Sequence, residues 1–388
     1  MRGIPATVWI LGFVSLLMDI SSEMVNTLLP LYLTAGLGAS ALAVGLIEGG
    51  AVAVATVMKF ASGLIADLTQ RAKPLAVLGY GLGAASRFIL PFAATVDAIV
   101  LAKAVDRVGK GIRGTPRDAM IAAVTPPARR GEAFGLRKSL DSLGGFLGPL
   151  LAVAAMLALS GNIKDVFWLA TLPAALAVAL LAFGVQEPAT APRGAGKPGF
   201  RLRDALRLTP ALHGVIALAG VIMLARFSEA FVLLKALEAG FTPAWVPLAM
   251  VLMHAVYAAT AWPAGWLSDR IGRRGLLILS LLCLMAAHLV LAFAGNIAGF
   301  LAGTLLWGLH MGLSQGLLGA MIAHAAPDRL RGSAFGTFNL VTGLVLLAGN
   351  TAAGWLWMSQ GPAAPFIAGA ALSAVAAALL MLRRPELA

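Results

Sequence analysis

The sequence predicts an all-α membrane protein in which twelve transmembrane helices form two pseudo-symmetric bundles of six. Three observations support this fold class. The chain of 388 residues is 60% hydrophobic and only 12% charged, and no soluble core needs so many apolar side chains. Apolar stretches long enough to cross a bilayer recur along the whole chain, which indicates helices rather than a barrel. Two sequence landmarks recur about 200 residues apart, which indicates an internal duplication.

The two landmarks are short charged segments in apolar surroundings. Residues 63–73 read G-L-I-A-D-L-T-Q-R-A-K and residues 265–275 read G-W-L-S-D-R-I-G-R-R-G, so their aspartates lie 202 positions apart. Residues 130–135 read R-G-E-A-F-G and residues 331–336 read R-G-S-A-F-G, an offset of 201. A duplicated apolar half with charged loops is typical of a membrane transporter built from two parallel repeats.

The apolar stretches divide into twelve predicted spans. They cover residues 7–33, 42–66, 75–96, 98–122, 133–158, 165–185, 210–234, 244–267, 275–294, 297–323, 333–357 and 363–382. The first is interpreted as a membrane helix rather than a cleaved signal, because its apolar run continues through Asp19 and Glu23 without a small-residue cleavage site. Residues 186–207 hold three prolines and five cations. They predict a linker between an N-terminal bundle, 1–185, and a C-terminal bundle, 208–388.

The distribution of lysine and arginine predicts the orientation of the chain. One set of alternate loops, with the linker and both termini, holds 17 of these cations, whereas the opposite loops hold only Lys164 and Lys235. Cytoplasmic loops carry the excess of such cations, so both termini and the linker are predicted to be cytoplasmic. The same rule explains the net charge of +12 without a nucleic-acid partner. The 21 arginines against 8 lysines fit a high-GC prokaryote, which predicts a plasma (inner) membrane location.

Charged residues inside the spans mark the predicted functional site. A charge at mid-bilayer costs about 2.5–3.5 kcal/mol on insertion scales, so such residues usually pair or line a cavity. The first span carries a polar stripe about 100° wide, made of Ser15, Asp19, Ser22, Glu23 and Asn26. The fourth carries a stripe about 140° wide, made of Lys103, Asp106, Arg107, Lys110, Arg113, Arg117 and Asp118. The fifth and seventh spans add Arg137, Lys138, Asp141, Arg226 and Glu229.

A structural ion-pair network is the alternative explanation of these charges. In that case five acids would neutralise four cations. The acids are Asp19, Glu23, Glu48, Asp106 and Asp141, and the cations are Lys59, Arg107, Lys110 and Arg113. Ion pairing is a costly way to stabilise a bundle. In addition, three cations of the fourth span are replaced in the second repeat by Gly308, Met311 and Ser314. We therefore favour a binding role. Three glycines and Pro116 leave open whether the fourth helix is continuous or broken.

Other classes of site have little support in the sequence. The single cysteine, Cys283, excludes an intramolecular disulfide. His254, His288, His310 and His324 lie in the C-terminal half, and His310 beside Met311 is a weak candidate metal ligand. No phosphate-binding glycine loop, catalytic triad or zinc motif is present. We therefore predict no enzymatic activity and no cofactor, and expect any transport to be driven by a gradient or to run downhill.

The chain resembles the major facilitator superfamily over essentially its full length. The superfamily's loop motif, G-x-x-x-D-R-x-G-R-R, is matched fully in the second half, by Gly265, Asp269, Arg270, Gly272, Arg273 and Arg274. The first half matches it at Gly63, Asp67 and Arg71 but has Leu68 and Gln70 at two motif positions. The helix-4 motif R-x-x-Q-G is similar to residues 107–111, with Lys110 for glutamine. The antiporter motif G-x-x-x-G-P-x-x-G-G is matched at Gly144, Gly148 and Pro149 only, and residues 106–118 resemble a prokaryotic branch.

The resemblance implies alternating access and a substrate site between the two halves, in a monomer. It implies a cytoplasmic gate formed by the loop motifs, with Asp67, Arg71, Asp269, Arg270 and Arg273. Our leading hypothesis is a proton-coupled antiporter that exports an anionic or amphiphilic small molecule. Arg107, Lys110 and Arg113 would bind the anionic group, and Asp19 and Glu23 would carry the proton.

Four further residues complete the predicted site, namely Asn26, Asp141, Arg226 and Glu229. The expected partners are a small-molecule substrate, protons and the lipid bilayer. Two alternatives stay open. One is transport of a metal ion or metal chelate by Asp19, Glu23 and His310. The other is a receptor or assembly protein that has lost transport.

Overall fold

The structure is a computed structural model that describes residues 4–69, 71–126, 129–187, 208–314, 317–318, 321–322, 326 and 331–382. Side chains are described throughout these ranges except at 60–69, 210–211, 262, 265–266, 268–271 and 331–333. The described residues form helices joined by short turns and contain no β-strand. By their contacts they divide into two compact units. Unit 1 is Met1–Ala39 with Val54–Gly196, and unit 2 is Ser40–Ala53 with Lys197–Ala388.

The first six helices occupy the N-terminal half of the chain. They are α1 Ala6–Asn26, α2 Ala41–Thr69, α3 Ala72–Ile89, α4 Val96–Val124, α5 Arg130–Ala158 and α6 Ile163–Gly184. A short helical turn and a π-helical turn extend α1 to Gly36. The start of α2, up to Ala53, belongs to unit 2, and the rest of the helix belongs to unit 1. Our predicted bundle boundaries stay a prediction, because residues 188–207 lie outside the described part of the chain.

The remaining helices are α7 to α12. They are α7a Pro210–Ala225, α7b Ala230–Glu238, the stretch Leu248–Phe293 that contains α8 and α9, α10 Ile297–Ser314, α11 Arg331–Gln360 and α12 Ala364–Leu382. Gly272, with φ 79° and ψ 150°, separates α8 from α9. Only glycine adopts this conformation readily, which explains why the last glycine of the loop motif stands here.

In the described part of the chain, twelve helical stretches are long enough to cross a membrane, with α7a and α7b counted together, in agreement with the sequence. Eleven of those in the described residues are also apolar enough by composition. The twelfth, α4, has 29 residues but carries eight charged side chains. Pro116 lies inside α4, which continues without a break from Val96 to Val124. The charged stripe of the fourth span therefore lies along one continuous helix.

A buried apolar core fixes the rotation of α1 in unit 1. Val8, Leu11, Val14 and Met18, spaced three or four residues apart, are completely buried. They belong to one cluster with buried side chains of α3 and α6, among them Tyr80. Helical spacing of this kind places the apolar side chains on one face. The polar stripe of α1 consequently lies on another face, towards α4 and α5.

Candidate substrate-binding and ion-coupling site

Glycines bring α5 against the acidic stripe of α1. A Cβ atom added at Gly144 would lie 2.9 Å from the Cβ of Asp19, and one added at Gly148 would lie 2.6 Å from the Cβ of Glu23. Real Cβ atoms do not approach so closely, so both positions need glycine to keep this packing. The glycines of the partial antiporter motif thus place α5 directly behind the two carboxylates.

A second set of glycines packs α3 against the basic stripe of α4. A Cβ at Gly79 would lie 2.7 Å from the backbone nitrogen of Arg113, and one at Gly109 would lie 2.9 Å from that of Gly83. The close approach of the two helices brings Tyr80 and Arg87 of α3 to the charged face of α4. It assembles a polar network from α1, α3, α4 and α5 within unit 1.

Asp106 lies at the centre of one part of this network. Arg87 Nη2 donates hydrogen bonds to Asp106 Oδ1 and to Ser22 Oγ, both at 2.9 Å. Arg107 Nε lies 3.3 Å from Asp106 Oδ2. Arg87 and Asp106 are both buried, so their charges need this pairing. Asp106 therefore forms ion pairs with two guanidinium groups, and both groups are occupied by this carboxylate.

Arg107 also connects this part of the network to Glu23. Its Nη2 donates to Asn26 Oδ1 at 3.4 Å, and Asn26 Nδ2 donates to Glu23 Oε1 at 3.2 Å. Three predicted site residues, Glu23, Asn26 and Arg107, therefore lie together. The amide of Asn26 holds the acid and the guanidinium apart while it bonds to both.

A second part of the network surrounds Asp118. Arg117 Nε and Arg137 Nη1 each lie 3.0 Å from Asp118 Oδ1. Arg137 also forms an ion pair with Asp141 of the same helix. Asp141 is thereby placed in the network, one helical turn from its partner. Arg117 Nη1 further donates to Ser15 Oγ at 3.1 Å, which links α4 to the stripe of α1.

Arg113, Lys110 and Asp19 lie in the same network but are less completely paired. The guanidinium carbon of Arg113 lies 4.8 Å from the centre of the Tyr80 ring, a cation–π contact. Arg113 Nη2 is 4.0 Å from Asp19 Oδ1, and Nη1 is buried without a hydrogen-bond partner in the structure. Lys110 is exposed and interacts electrostatically with Arg107 and Asp19. It makes no hydrogen bond or ion pair with any described residue.

Arg226 and Glu229 border a break in the seventh span, which we had predicted to be continuous over 210–234. Their side chains approach to 3.6 Å, between Nη2 and Oε1. The backbone leaves the helix between α7a and α7b although residues 226–229 contain neither glycine nor proline. Lys235, predicted to lie in a loop, lies within α7b. Non-helical backbone at membrane depth is tolerated where other groups satisfy it.

Two side chains from other helices satisfy this break. His288 Nε2 lies 3.0 Å from the carbonyl oxygen of Ala225 and therefore donates to it. Asn350 Oδ1 accepts from the backbone N–H of Ser228 at 2.7 Å. These long-range hydrogen bonds replace helical ones, which is why no local sequence signal predicts the break.

His310, the weak metal candidate, is buried between α9 and α10. Its Nδ1 donates to the carbonyl oxygen of Ser280 at 2.9 Å. Among the described residues, no group of three or more histidine, cysteine, aspartate or glutamate side chains is arranged to hold a metal ion. The described residues therefore contain no set of side chains arranged to bind the metal ion of the alternative hypothesis.

The predicted gate is described only in part. The side chains of Asp67, Asp269 and Arg270 lie outside the described residues. Arg71 is exposed and Arg273 is partly buried. The neighbouring Arg274 donates to the last carbonyl oxygens of α12, those of Leu380 at 3.1 Å and Met381 at 2.7 Å, and thereby caps that helix.

The most important residue that sequence reasoning missed is Arg87. The sequence did contain a signal for Arg87, because an arginine inside an apolar span needs a polar or charged partner. Its partner, Asp106, is 19 positions away on the next helix, and no local pattern joins the two. Tyr80 and Ser86, which also touch the arginines of the network, carried no signal.

The family of the chain follows from its similarity to known proteins. The family model described as the Major Facilitator Superfamily matches residues 11–260 and 215–388. This chain belongs to the Major Facilitator Superfamily. It is 28% identical over 386 residues to an uncharacterized MFS-type transporter of Methanocaldococcus jannaschii, covering 98% of this chain and 95% of that protein.

Solved structures of superfamily transporters share the fold. The peptide transporter POT superposes with a TM-score of 0.83 at 15% identity, covering all of this chain and 96% of that one. The nucleoside transporter NupG gives 0.80 at 16% identity, covering 97% and 99%. The twelve-helix superfamily fold predicted from the sequence is confirmed. The chain is therefore a multi-pass membrane protein and a secondary transporter, and the identities are too low to transfer a substrate.

Proposed function

We propose that this superfamily member is a proton-coupled transporter of an anionic or amphiphilic small molecule. The carrying observation is that Lys110 and Arg113 have no carboxylate oxygen of a described residue closer than 4.0 Å, whereas Arg87, Arg107, Arg117 and Arg137 each have one within 3.3 Å. Lys110 has no hydrogen-bond or ion-pair partner among the described residues, and Arg113 has a buried Nη1 without one. The buried guanidinium of Arg113 favours an anion that accepts its hydrogen bond, and the exposed Lys110 adds a second charged donor.

The network divides the predicted cations into two roles. Arg107 already interacts with Asp106 and Asn26, so it balances charge and orients the amide. Lys110 and Arg113 have no carboxylate oxygen of a described residue closer than 4.0 Å, and we assign them the contacts to the anionic group of the substrate.

Coupling to protons follows from competition for Arg113. Its interaction with Asp19 is long, 4.0 Å, so an anion bound at Arg113 displaces a weakly held carboxylate. A proton on Asp19 balances the charge that the anion brings, so the anion and the proton bind together. Glu23, linked to Arg107 through Asn26, provides a second proton carrier. Coupled movement of the anion and a proton would then be a property of one network.

The remaining expectations belong to the same proposal. Arg226 and Glu229 lie at the break of α7, where a change of backbone conformation needs the fewest helical hydrogen bonds to break. The loop-motif residues Asp67, Arg71, Asp269, Arg270 and Arg273 form the cytoplasmic gate. The protein works as a monomer in the inner membrane of a prokaryote, with both termini in the cytoplasm.

Thermal unfolding of the purified protein against a panel of organic anions tests the proposal. A ligand at about 100 times its dissociation constant stabilises a protein by about 2.7 kcal/mol. We expect some anions to stabilise the wild type, and Lys110→Gln and Arg113→Gln to abolish the effect. Lys138→Gln removes an exposed lysine from α5 outside the network and is the matched control. Stabilisation by cations alone, unchanged in the two variants, would refute the anion site.

Proton coupling requires a separate measurement. An anion identified in this way is loaded into proteoliposomes, and its flux is followed with and without a pH gradient. Asp19→Asn with Glu23→Gln is expected to leave downhill exchange but abolish acceleration by the gradient. Gradient-driven flux that persists in the double variant would show that other groups carry the proton.

A further inference from the structure

A groove of about 770 Å³ lies on unit 1, between the start of α3 and the end of α6. Its lining includes Arg71, Lys73, Val77, Leu78, Ala182 and Glu187. None of these residues belongs to the polar network described above. The groove lies at the end of the bundle where α3 begins and α6 ends, which is the level of the membrane surface.

Two cations at the polar end of the groove are free to bind an external anion. Neither Arg71 nor Lys73 uses its side chain in a hydrogen bond or ion pair with another described residue. The acid of the groove, Glu187, is engaged elsewhere. Its Oε1 accepts from the backbone N–H of Ala72 at 2.8 Å and its Oε2 from that of Lys73 at 3.0 Å. The groove therefore keeps an excess of one positive charge and two unused donor groups.

The other end of the groove is apolar and lies deeper in the bilayer. Val77 and Leu78 follow Lys73 by four and five residues, which corresponds to about 6–8 Å along a helix. Leu78 is 52% exposed, and Ala182 of α6 lines the opposite wall. Charge at the surface followed by apolar side chains below it is the order of groups in a phospholipid.

We propose that this groove binds an anionic phospholipid, with its phosphate between Arg71 and Lys73 and an acyl chain along Val77, Leu78 and Ala182. A soluble phosphate would use the cations but leave the apolar wall without a partner. A zwitterionic lipid brings its own cation to a site that already has a positive excess. Basic residues at the membrane surface attract anionic lipids additively, so the pair of cations selects the headgroup.

Native mass spectrometry of the full-length protein with phosphatidylglycerol and phosphatidylcholine tests this site. We expect retention of phosphatidylglycerol by the wild type, and a dissociation constant about 30-fold higher in the double variant Arg71→Gln, Lys73→Gln. The control double variant, Arg129→Gln with Arg130→Gln, removes two cations at the same end of unit 1 but outside the groove. It is expected to retain the preference. Flux is not the readout, because Arg71 also belongs to the proposed gate.

A second variant keeps the cations and fills the apolar wall. Ala182→Trp is expected to weaken phosphatidylglycerol binding several-fold, and it supplies the test should the double variant not fold. Equal losses in both double variants would overturn the proposal in favour of diffuse surface attraction. Binding of glycerol phosphate as tight as that of the lipid, or unchanged lipid binding by Ala182→Trp, would also overturn it.

Discussion

Arg87 of α3 donates a hydrogen bond to Asp106 of α4 at 2.9 Å, and the two side chains are only 3% and 5% exposed. Arg107 lies against the other oxygen of the same carboxylate. One buried acid thus holds two guanidinium groups and ties α3 to α4. Because Arg87 and Arg107 are paired with Asp106, our proposal assigns the substrate contacts to Lys110 and Arg113 instead.

The first prediction ranks substitutions at Arg87 and Asp106 by how much each lowers the free energy of unfolding. Asp106→Asn leaves the buried Arg87 and the partly buried Arg107 without a carboxylate, and we expect the free energy of unfolding to fall by about 3–5 kcal/mol. Arg87→Gln is expected to cost less, because Asp106 keeps Arg107. Thermal and denaturant unfolding of the purified variants measures both. If Arg87→Gln destabilises as much as Asp106→Asn, the carboxylate does not serve both arginines.

An exposed ion pair provides the control for this prediction. Arg129 and Glu132 approach to 2.7 Å but are largely exposed, and such pairs contribute only about 0–1 kcal/mol. Arg129→Gln should therefore change the unfolding midpoint little. A large effect there would indicate that loss of positive charge in general, rather than loss of the buried pair, destabilises the protein.

The second prediction concerns the contact between α1 and α5. Gly148→Ala places a methyl group 2.6 Å from the Cβ of Glu23, and overpacking of this kind typically costs about 1–3 kcal/mol. Gly135→Ala lies on the same helix with nothing within 4 Å, and it should be neutral or stabilising. The free energies of unfolding of the two variants, measured under the same conditions, test this prediction. Equal effects would mean that helix propensity, not the approach to Glu23, governs this position.

The sequence predicted the fold class and the helix count well because both depend on local composition. Apolar length defines each span, and the duplicated loop motifs define the repeat. Gly272 shows the strength of such a signal, since the motif glycine has the positive φ that its place between α8 and α9 requires. The charged stripe of α4 was likewise visible, because charges are rare in membrane helices.

The ion-pair and hydrogen-bond partners of these charged residues could not be predicted in the same way. Whether a charge in a stripe is free depends on residues from other helices, as Arg87 and Asn26 show for Arg107. The break in α7 depends on His288 and Asn350, which lie 63 and 122 positions beyond their hydrogen-bond partners, Ala225 and Ser228. Such contacts follow from tertiary packing, and a single sequence contains no pattern that joins them.

The third prediction concerns that break. Asn350 is buried, and its Oδ1 is the acceptor for the N–H of Ser228. Asn350→Ala leaves this buried donor without a partner, and we expect a loss of about 1–3 kcal/mol in the free energy of unfolding. Asn339→Ala removes an exposed amide from the same helix and is the matched control, with an expected change within about 0.5 kcal/mol. Unfolding midpoints of the two variants provide the comparison. An Asn350→Ala variant as stable as the control would mean that the break does not need this hydrogen bond.

The last prediction concerns the glycine between α8 and α9. Gly272 has φ 79° and ψ 150°, a conformation that costs other residues about 1–3 kcal/mol. Gly272→Ala is therefore expected to lower the free energy of unfolding by that amount, although nothing lies within 4 Å of the added Cβ. Gly295→Ala, which also meets nothing within 4 Å but has no positive φ, separates backbone strain from the effect of an added methyl group. Unfolding of both variants in the same detergent measures the difference, and equal stability would show that the chain reaches α9 without a left-handed residue at position 272.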